Sequence, residues 1–512
     1  MMQRRDLLKA GLQHVAGLGA VAAWPGAWAQ GDGRDVCDVH DACPQGAFTQ
    51  APELAPLFGL PVDELDARDL VVEGRLPVGL RGVYYKNGPG LMARGGERYQ
   101  HWFDGDGLVQ AWRFTDQGVS HCARFVQTAK FRAERAAGRF LVPGYGTAIP
   151  ARMPVRGPDS LNTANTSVLL QGDKLYALWE GGSVHELDPQ TLATRGLKTW
   201  SPNLAGMPFS AHPKVEADGT VWNFGTSGHH MALYQLSAAG QVLRSTVFEM
   251  PSACAMVHDF AVSQRCLVFL LPPIELDLAA LKAGESMVGA MRWQAQEATR
   301  ILLIDKADFN QRRVLEIPAC MAFHFGNAWD DGQQLHLDYV QNRDLPAANQ
   351  VFRQIMRGER PGASEVPATP RFMRIDLASG RIELQSRDEA VEFPSVDPRF
   401  VAQRYRHVYY PSSVDLGDRW GFDGLLHVDI ESGRRDRFSF GKEVVVEEHV
   451  LVPKPGRRQE GEGWLLGLCY DTRRQRSFAS VFDAQALSAG PLAKVWLPYW
   501  VTYGFHGKFY AA

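Results

Sequence analysis

Short strand-like runs, broken at close intervals by turn residues, fill this chain from Val71 to its end and restrict what it can fold into. Stretches such as SVLLQGDKLYALWEGG (167–182) and RSFASVFDA (476–484) combine β-branched and aromatic residues with G-D, D-G or S-G turns near their ends. IDLASGRIEL (375–384) has the pattern of a β-hairpin. Helix-like stretches are few, near 275–291 and 342–358. The pattern predicts an all-β domain built as a sandwich, a barrel or a propeller.

Four widely separated histidines favour the propeller. His212, His258, His324 and His506 each introduce or lie within a strand-like run. The interval from the first to the second is 46 residues and the next is 66, close to one and to one and a half lengths of a four-stranded blade. A propeller brings the inner strand of every blade to one axis, so residues far apart in sequence can meet there. We therefore predict a propeller in which these histidines meet at one metal ion, although no internal repeat is sharp enough to number the blades.

The C-terminal segment Trp500–Tyr510, WVTYGFHGKFY, surrounds the last of these histidines with aromatic residues and glycines. Such a segment favours an extended, buried conformation. A chain end this apolar is ordered when it docks into a sheet. We expect it to form the strand that closes the propeller.

The chemistry of four imidazoles indicates a transition metal. Neutral histidine suits iron, zinc, copper and nickel. Because four such ligands leave the metal charge uncompensated, we expect carboxylates to accept the N–H of the other ring nitrogens. The candidates, in apolar or turn settings, are Glu180, Glu392 and Glu448. Each could instead be a surface charge, as a Glu447–Glu448 pair usually is.

Composition and charge restrict the partners. The 512 residues are 45% hydrophobic, enough for a large core, and carry a net charge of −3 with a pI of about 6.6. No basic block is present, so we expect no nucleic-acid partner. After the N-terminus no apolar run reaches membrane-spanning length. The stretch LPPIELDLAALKAG (271–284) is a candidate for peripheral membrane contact.

The first residues have the pattern of a targeting signal. Arg4-Arg5 precedes a mildly apolar stretch, and Ala27-Trp28-Ala29 supplies a small-x-small cleavage site. We interpret residues 1–29 as a twin-arginine signal that exports a folded protein to the periplasm; an ordinary Sec signal is the alternative. Residues 30–57 then form a linker, and residues 58–512 a single domain.

Seven cysteines at irregular spacing exclude a disulfide framework, and no C-x-x-C pair offers a zinc site. Cys37 and Cys43 either close a small loop or remain two thiols. HWFDGDG (101–107) mimics part of a calcium loop but lacks its other ligands, so it is interpreted as a turn. His101, His229 and His230 are interpreted as loop or core residues.

Many separate motifs, in order, resemble those of the carotenoid cleavage oxygenases, a family that includes lignostilbene dioxygenases and the retinal-pigment-epithelium isomerase. The resemblance extends from about residue 58 to the C-terminus. The histidine motifs are SAHPKVEADG (210–219), HDFAVS (258–263), FHFGNAWDDG (323–332) and YGFHGKF (503–509). The other matches are YKNGPG (85–90), HWFDGDG (101–107), EGG (180–182), EFPSVDPRF (392–400) and LVPKPG (451–456).

The resemblance implies a seven-bladed propeller with a helical cap over the axis and one Fe(II) held by His212, His258, His324 and His506. It implies that Glu180, Glu392 and Glu448 hold the histidines. It also implies oxidative cleavage of a conjugated C=C bond by O2 into two carbonyl products. The substrate would be a lipophilic polyene or a stilbene-like compound. The departures, Gly326, Trp329 and Tyr499-Trp500, remove no ligand but alter aromatics that bear on substrate choice.

Three functions remain open on sequence grounds. The first is a carotenoid or apocarotenoid dioxygenase, and the second is a dioxygenase of stilbene-like phenolics. A dioxygenase of phenolics needs polar groups that hydrogen-bond to the phenol, whereas a carotenoid dioxygenase needs only an apolar wall at the same place. The third is a propeller saturated by zinc that binds a lipophile or has a structural role.

Overall fold

A computed structural model describes residues 48, 50–59, 63–252, 254–360, 368–414 and 421–512. The interpreted signal at 1–29, most of the linker and the Cys37–Cys43 pair lie outside these residues. Within the described part, Cys122, Cys254, Cys266, Cys320 and Cys469 are free.

The first half of the chain forms sixteen short strands. They are β1 (Leu65–Ala67), β2 (Val71–Gly74), β3 (Gly82–Lys86), β4 (Pro89–Leu91), β5 (Ala93–Arg94), β6 (Glu97–Arg98), β7 (Asp106–Thr115), β8 (Gly118–Phe125), β9 (Ser167–Gln171), β10 (Lys174–Leu178), β11 (Val184–Leu187), β12 (Thr194–Lys198), β13 (Lys214–Val215), β14 (Val221–Ser227), β15 (His230–Leu236) and β16 (Val242–Glu249).

The second half adds eighteen strands of similar length. They are β17 (Ala261–Val262), β18 (Cys266–Leu271), β19 (Ile274–Leu276), β20 (Met291–Trp293), β21 (Thr299–Asp305), β22 (Arg312–Ile317), β23 (Met321–Asp330), β24 (Gln334–Asn342), β25 (Thr369–Asp376), β26 (Ile382–Ser386), β27 (His407–Ser412), β28 (Gly424–Asp429), β29 (Arg435–Ser439), β30 (Val444–Pro453), β31 (Gly463–Asp471), β32 (Arg476–Asp483), β33 (Ala493–Trp496) and β34 (Gly507–Ala511).

Helices in the described residues are few and short. The α-helices are α1 (Ala55–Phe58), α2 (Ala129–Ala137), α3 (Leu278–Lys282), α4 (Met287–Ala290) and α5 (Leu345–Met356). Single 3₁₀ turns occur at Pro52–Leu54, Trp102–Asp104, Pro158–Ser160, Pro202–Leu204, Pro398–Phe400 and Leu487–Ala489. The helix expected near 342–358 is α5, whereas the stretch near 275–291 divides into two short helices beside the β19–β20 ribbon.

Seven antiparallel sheets form the blades, which confirms the seven-bladed propeller. Blade 1 contains β1, β8, β7, β3 and β34, with β4 beside β7; blade 2 contains β12, β11, β10 and β9; blade 3 contains β13 to β16. Blade 4 contains β17, β18, β21 and β22; blade 5 contains β23 to β26; blade 6 contains β27 to β29; blade 7 contains β2, β33, β32, β31 and β30. Neighbouring blades pack through apolar side chains; Phe224 of blade 3, for example, contacts Phe269 of blade 4. Each such large apolar side chain stabilises the fold by about 1.5–3 kcal/mol when buried.

Both ends of the described domain close the ring. The N-terminal strand β2 pairs with β33, the outermost of the C-terminal strands of blade 7. The last strand, β34, pairs with β3 of blade 1, with Lys86 opposite Gly507. The C-terminal segment is therefore the closing strand that its aromatic sequence predicted.

Insertions between strands cover the histidine end of the axis. The segment between β18 and β21 carries β19, α3, α4 and β20, and this insertion accounts for the long interval between His258 and His324. Helix α5 is inserted between β24 and β25. Its Phe352 packs against Phe103 and Phe323. The ring centre of Phe323 lies 5.5 Å from that of His258. No helix in the described ranges is long and apolar enough to cross a membrane.

Candidate metal centre

The four predicted histidines stand at the beginnings of inner strands from four blades. His212 precedes β13, His258 precedes β17, His324 lies near the start of β23, and His506 precedes β34. A propeller directs the beginnings of its inner strands to one end of the axis. The chain thus brings together side chains that are up to 294 positions apart in the sequence.

One ring nitrogen from each histidine faces a common point. The four candidate ligand atoms all lie within 4.8 Å of one another. The Nε2 atoms of His212 and His258 are 2.9 Å apart, and those of His324 and His506 are 3.2 Å apart. Among the described residues, this is the one group of histidines, cysteines and carboxylates with such convergence.

Three glutamates hold the opposite nitrogens. The Nδ1 atoms of His258, His324 and His506 lie 2.6, 2.5 and 2.8 Å from carboxylate oxygens of Glu180, Glu392 and Glu448, respectively. A carboxylate accepts, so each Nδ1 carries the proton and each Nε2 presents a lone pair. Glu180 follows β10 of blade 2, Glu392 precedes β27 of blade 6, and Glu448 lies in β30 of blade 7. Each of the seven blades therefore contributes one residue to this cluster.

A β-bulge explains why both acidic residues of the Glu447–Glu448 pair are internal. Val446 pairs with Cys469 and His449 with Gly467, so two residues of β30 face a single residue of β31. Glu448 also accepts a hydrogen bond from the Gly507 backbone. Glu447 instead forms a buried ion pair of 3.1 Å with Lys86 and accepts a hydrogen bond from Gly504.

His212 differs from the other three histidines because its nearest carboxylate belongs to an aspartate. The Nδ1 atom of His212 is 4.0 Å from Asp259, beyond hydrogen-bond distance. Asp259 forms an ion pair with Lys214 Nζ at 2.7 Å and accepts a hydrogen bond from the Phe325 backbone at 2.9 Å. It thereby links the inner strands that carry three of the histidines. Sequence reasoning missed Asp259, although it directly follows His258 in the HDF motif.

Burial and the glutamates shift the protonation of the cluster. Burial lowers the pKa of His212 well below its ordinary value, and the neighbouring histidines lower it further. Burial likewise lowers the pKa of His506 to about 4, against the opposing effect of Glu448. These two imidazoles are neutral at pH 7, the form that binds metal ions. For His324, burial lowers the pKa but the Glu392 carboxylate outweighs it and raises the pKa overall. A proton and a metal ion therefore compete for His324.

The donor set fits a metal ion. For metal–nitrogen bonds of about 2.1 Å, two ligands lie about 3.0 Å apart at a right angle and about 3.4 Å apart at the tetrahedral angle. The two Nε2 distances of 2.9 and 3.2 Å fall in or next to this range. The Nε2 lone pairs of His324 and His506, whose Nδ1 atoms carry the protons, repel at this distance unless a proton or a metal ion lies between them. The three carboxylates behind the imidazoles supply the compensating negative charge.

Phenylalanine rings border the cluster. The ring of Phe323 contacts His258, and the ring of Phe393 lies 5.1 Å from His324 and 5.4 Å from His506. Phe393 has a φ of 52°, a left-handed conformation that a bulky residue rarely adopts. This conformation places its ring beside the histidines while Glu392, its neighbour, binds His324. Phe103 extends the same wall beyond Phe323. The three phenylalanines lie within the recognised motifs but had no assigned role.

The remaining histidine and acidic motifs lie outside the cluster. The HWFDGDG segment forms a 3₁₀ turn that leads into β7, as interpreted. Its Asp104 accepts hydrogen bonds from Gly146 and Thr147, and burial raises its pKa to about 6. His101 is buried in the cap, and His230 begins β15.

Comparison with known proteins agrees with this geometry. The family model described as retinal pigment epithelial membrane protein matches residues 59–511. The apocarotenoid-15,15'-oxygenase of Synechocystis sp. is 31% identical over 456 residues, covering 85% of this chain and 92% of that protein. The isoeugenol monooxygenase of Pseudomonas nitroreducens is 30% identical, covering 87% and 95%. The crystal structure of the cobalt-substituted Synechocystis apocarotenoid oxygenase superposes with a TM-score of 0.81 at 29% identity, covering 90% and 99%. The chain belongs to the retinal pigment epithelial membrane protein family, that of the carotenoid cleavage oxygenases.

Proposed function

We propose that this oxygenase cleaves a conjugated C=C bond of a carotenoid or apocarotenoid with O2 and releases two carbonyl fragments. The observation that carries the choice of a polyene is the phenylalanine wall beside the histidines. Phe323 and Phe393 are the aromatic residues in ring contact with the cluster in the described part of the chain. A phenolic substrate needs a polar partner at this position, whereas a linear polyene needs only apolar surface.

The protein's own residues bind and orient the alkene. Phe103, Phe323 and Phe393 offer ring faces and edges against which a flat polyene packs, and their surface excludes water. The glutamates fix the tautomer and orientation of three histidines, so that their Nε2 atoms remain available. The reaction breaks one C=C bond and gives one oxygen atom to each carbon. It therefore balances without an added reductant and needs no protein acid or base.

We propose Fe(II) as the resident metal, held by His212, His258, His324 and His506. When bound, a ferrous ion supplies the activation of O2. Four nitrogen ligands suit it because iron accepts further ligands beyond four, whereas zinc is usually saturated at four. The Synechocystis apocarotenoid oxygenase has also been crystallised with cobalt in place of its own metal. The metal that supports the reaction is therefore identified by measuring bound metal and activity together.

The experiment purifies the protein without oxygen, measures bound metals, and then supplies ¹⁸O2 with one substrate at a time. We expect about one iron per chain and turnover of an apocarotenal, with ¹⁸O in both carbonyl products after rapid trapping by borohydride. Hydroxystilbenes and isoeugenol complete the panel. Turnover of the phenolic compounds alone would contradict the proposal of a polyene substrate. ¹⁸O in only one of the two products would contradict the proposed dioxygenase reaction. Stoichiometric zinc without turnover would support the non-catalytic alternative.

We also propose that residues 1–29 direct export of the folded protein to the periplasm. Support comes from Arg4-Arg5 and the small-x-small site. Changing both arginines to lysine should retain the precursor in the cytoplasm, and an unchanged periplasmic yield would indicate Sec export instead.

Peripheral membrane contact through 271–284 is supported by Leu278, which is 51% exposed in α3. Liposome flotation of Leu278→Ser against the parent protein tests this contact.

A further inference from the structure

A cavity lies in the cap, on one face of helix α5. Its volume is about 450 Å³. It is lined by residues of α4, β20 and α5 and by one residue just beyond α5: Val288, Gly289, Met291, Trp293, Leu345, Pro346, Asn349, Gln350, Arg353 and Arg357. Phe352, on the adjacent face of α5 next to Leu345, packs against Phe103 and Trp102. Helix α5 thus contributes residues both to this cavity and to the aromatic cluster beside the metal centre.

The apolar wall of the cavity is continuous with the wall of the metal centre. Leu345, Met291 and Trp293 belong to one apolar cluster with Met256 and Phe323. Phe323 in turn contacts His258. Methionine side chains are unbranched and adjust readily, so they can yield to a long apolar ligand. Because this cluster is packed, a polyene that reaches from the histidines into the cavity displaces these adaptable side chains.

A fixed tautomer directs a hydrogen-bond donor into the cavity. The Nδ1 atom of buried His101 accepts the backbone N–H of Phe103, so Nε2 carries the proton. Nε2 lies 3.2 Å from Oδ1 of Asn349 and donates to it. Burial lowers the pKa of His101 to about 3, which keeps the ring neutral and the tautomer single. Asn349 is only 6% exposed, and its Nδ2 has no hydrogen-bond partner among the described residues.

Arg353 places an uncompensated positive charge beside this donor. Its one hydrogen bond within the described ranges is a long one, 3.4 Å from Nη2 to the Gly146 carbonyl, and no described carboxylate forms an ion pair with it. Arg357 also lines the cavity, but Glu359 holds its guanidinium through two hydrogen bonds of 2.6 and 2.8 Å. The cavity thus combines apolar residues with Gln350, the paired Arg357 and two donors that have no carboxylate partner among the described residues, Asn349 Nδ2 and the Arg353 guanidinium.

We propose that this cavity binds the carboxylate end of the substrate, with Arg353 and Asn349 as its donors. The inference rests on the proposed polyene oxygenase function and names the substrate class more narrowly, as linear polyenes that end in a carboxylic acid. Charge-assisted hydrogen bonds from a guanidinium distinguish a carboxylate from its ester. The apolar body of the ligand lies along Trp293, Met291 and Leu345. Arg353 acts as a specificity-determining residue at the end distant from the reacting bond.

Anaerobic binding measures this preference separately from turnover. The metal-loaded protein is titrated with the conjugated tetraene parinaric acid and with its methyl ester, and binding is followed by ligand fluorescence. We expect the acid to bind about ten- to a hundredfold more tightly than the ester, as expected for a hydrogen bond to a charged group. In Arg353→Met the two affinities should become equal, with ester affinity unchanged within about twofold. Arg353→Lys should keep part of the preference.

The matched control is Arg343→Met, which removes a positive charge at the other end of the same helix, outside the cavity. This variant should keep the full acid preference. Equal binding of acid and ester by the parent protein would overturn the proposal, as would an equal effect of Arg343→Met and Arg353→Met. Competition with stearic acid that leaves polyene turnover unchanged would assign the cavity to fatty acids and also overturn it. If the acid preference is present but no polyene is cleaved in air, the proposed function fails while the binding site stands.

Discussion

At the scale of single residues, Glu447 and Glu448 have separate environments although they are adjacent. Glu448 lies 2.8 Å from His506 Nδ1, while Glu447 is buried against Lys86. Burial raises the pKa of Glu447, against the opposing effect of the lysine charge. The Glu448 carboxylate is held ionised by the His506 ring and the Gly507 amide, and its pKa is lowered despite the large opposing effect of burial. Glu448 thus orients a histidine of the metal centre, whereas Glu447 stabilises the fold by pairing with Lys86.

The first prediction separates these two roles by amide substitution. Glu448→Gln should lower metal affinity or activity by about 10- to 100-fold while the protein remains folded, because it removes the charge behind His506. Glu447→Gln leaves Lys86 buried without its counter-charge, a change that costs about 3–5 kcal/mol when a buried pair is broken. Its folded fraction should retain metal.

Metal analysis and denaturant unfolding check both variants in parallel. The prediction requires opposite patterns, with low metal and normal unfolding for Glu448→Gln and normal metal and early unfolding for Glu447→Gln. If both variants lose metal equally at unchanged stability, the division of roles is wrong.

The sequence predicted which residues would meet but not every contact among them. Motif order identified the four histidines and three glutamates, and the structure places them together. The motif assigned Glu448 rather than Glu447, as the structure has it, but it did not predict that Glu447 is also buried, because strand alternation sends one of two neighbours outward unless a bulge intervenes. It also missed Asp259 and Phe393, because their environment depends on neighbouring blades and on a left-handed backbone at Phe393.

At the scale of elements, two of the four strands beside the histidines have little sequence pattern of their own. β13 and β17 are two residues long, too short for alternation to show. The all-β class and hairpins such as β25–β26 were predictable from turn residues and alternation. Blade number was not, because the insertion between β18 and β21 obscures any constant interval. Ring closure depends on pairing between residues more than 400 positions apart, which no local pattern reports.

The second prediction concerns the closing strand β34. A chain that ends at Gly507 loses most of the backbone partners of β3 and also Tyr510, whose hydroxyl accepts a hydrogen bond from Leu170 of blade 2. An unpaired inner edge exposes hydrogen-bonding groups, and His506 loses the strand that anchors it. We expect loss of soluble protein or, in any soluble fraction, a much lower thermal midpoint and no bound metal.

A chain that ends at Tyr510 is the matched control. It lacks two residues that are exposed at the end of the strand and retains Lys508, Phe509 and Tyr510. Its thermal midpoint and metal content should stay close to those of the full chain. Equal behaviour of the two truncations would show that β34 does not close the ring.

At the scale of the whole molecule, the fold buries several histidines away from the metal centre in neutral form. Burial is the largest cause of the lowered pKa in each case. The pKa falls to about 3 for His101 and His121. It falls to about 4 for His185, His427 and His449. In the unfolded chain the same imidazoles take up protons near pH 6.5. Each therefore contributes stability that is fully present above pH 6.5 and is lost as the pH falls towards its folded value.

Buried carboxyl groups act in the opposite direction over part of this range, and burial raises the pKa of Glu447 and Glu460 among them. Burial raises the pKa of Asp104 and of Asp338 to about 6, so their contribution increases as the pH falls from 6 towards 3.8. The five imidazoles outnumber them. On balance, a fall in pH below about 6.5 therefore favours unfolding.

The third prediction is that stability declines from about pH 6.5 downward. The urea midpoint, followed by circular dichroism on metal-free protein at constant ionic strength, should fall steadily between pH 7 and pH 4.5. Using metal-free protein excludes acid release of the metal as the cause. His185 lies in β11, distant in sequence from the metal ligands, and its shift from 6.5 to about 4 is worth at most about 3 kcal/mol. His185→Gln cannot take up this proton when unfolded, so its midpoint should fall less steeply than that of the parent. A midpoint that rises with acid, or a variant with the parent's slope, would contradict the neutral burial of these histidines.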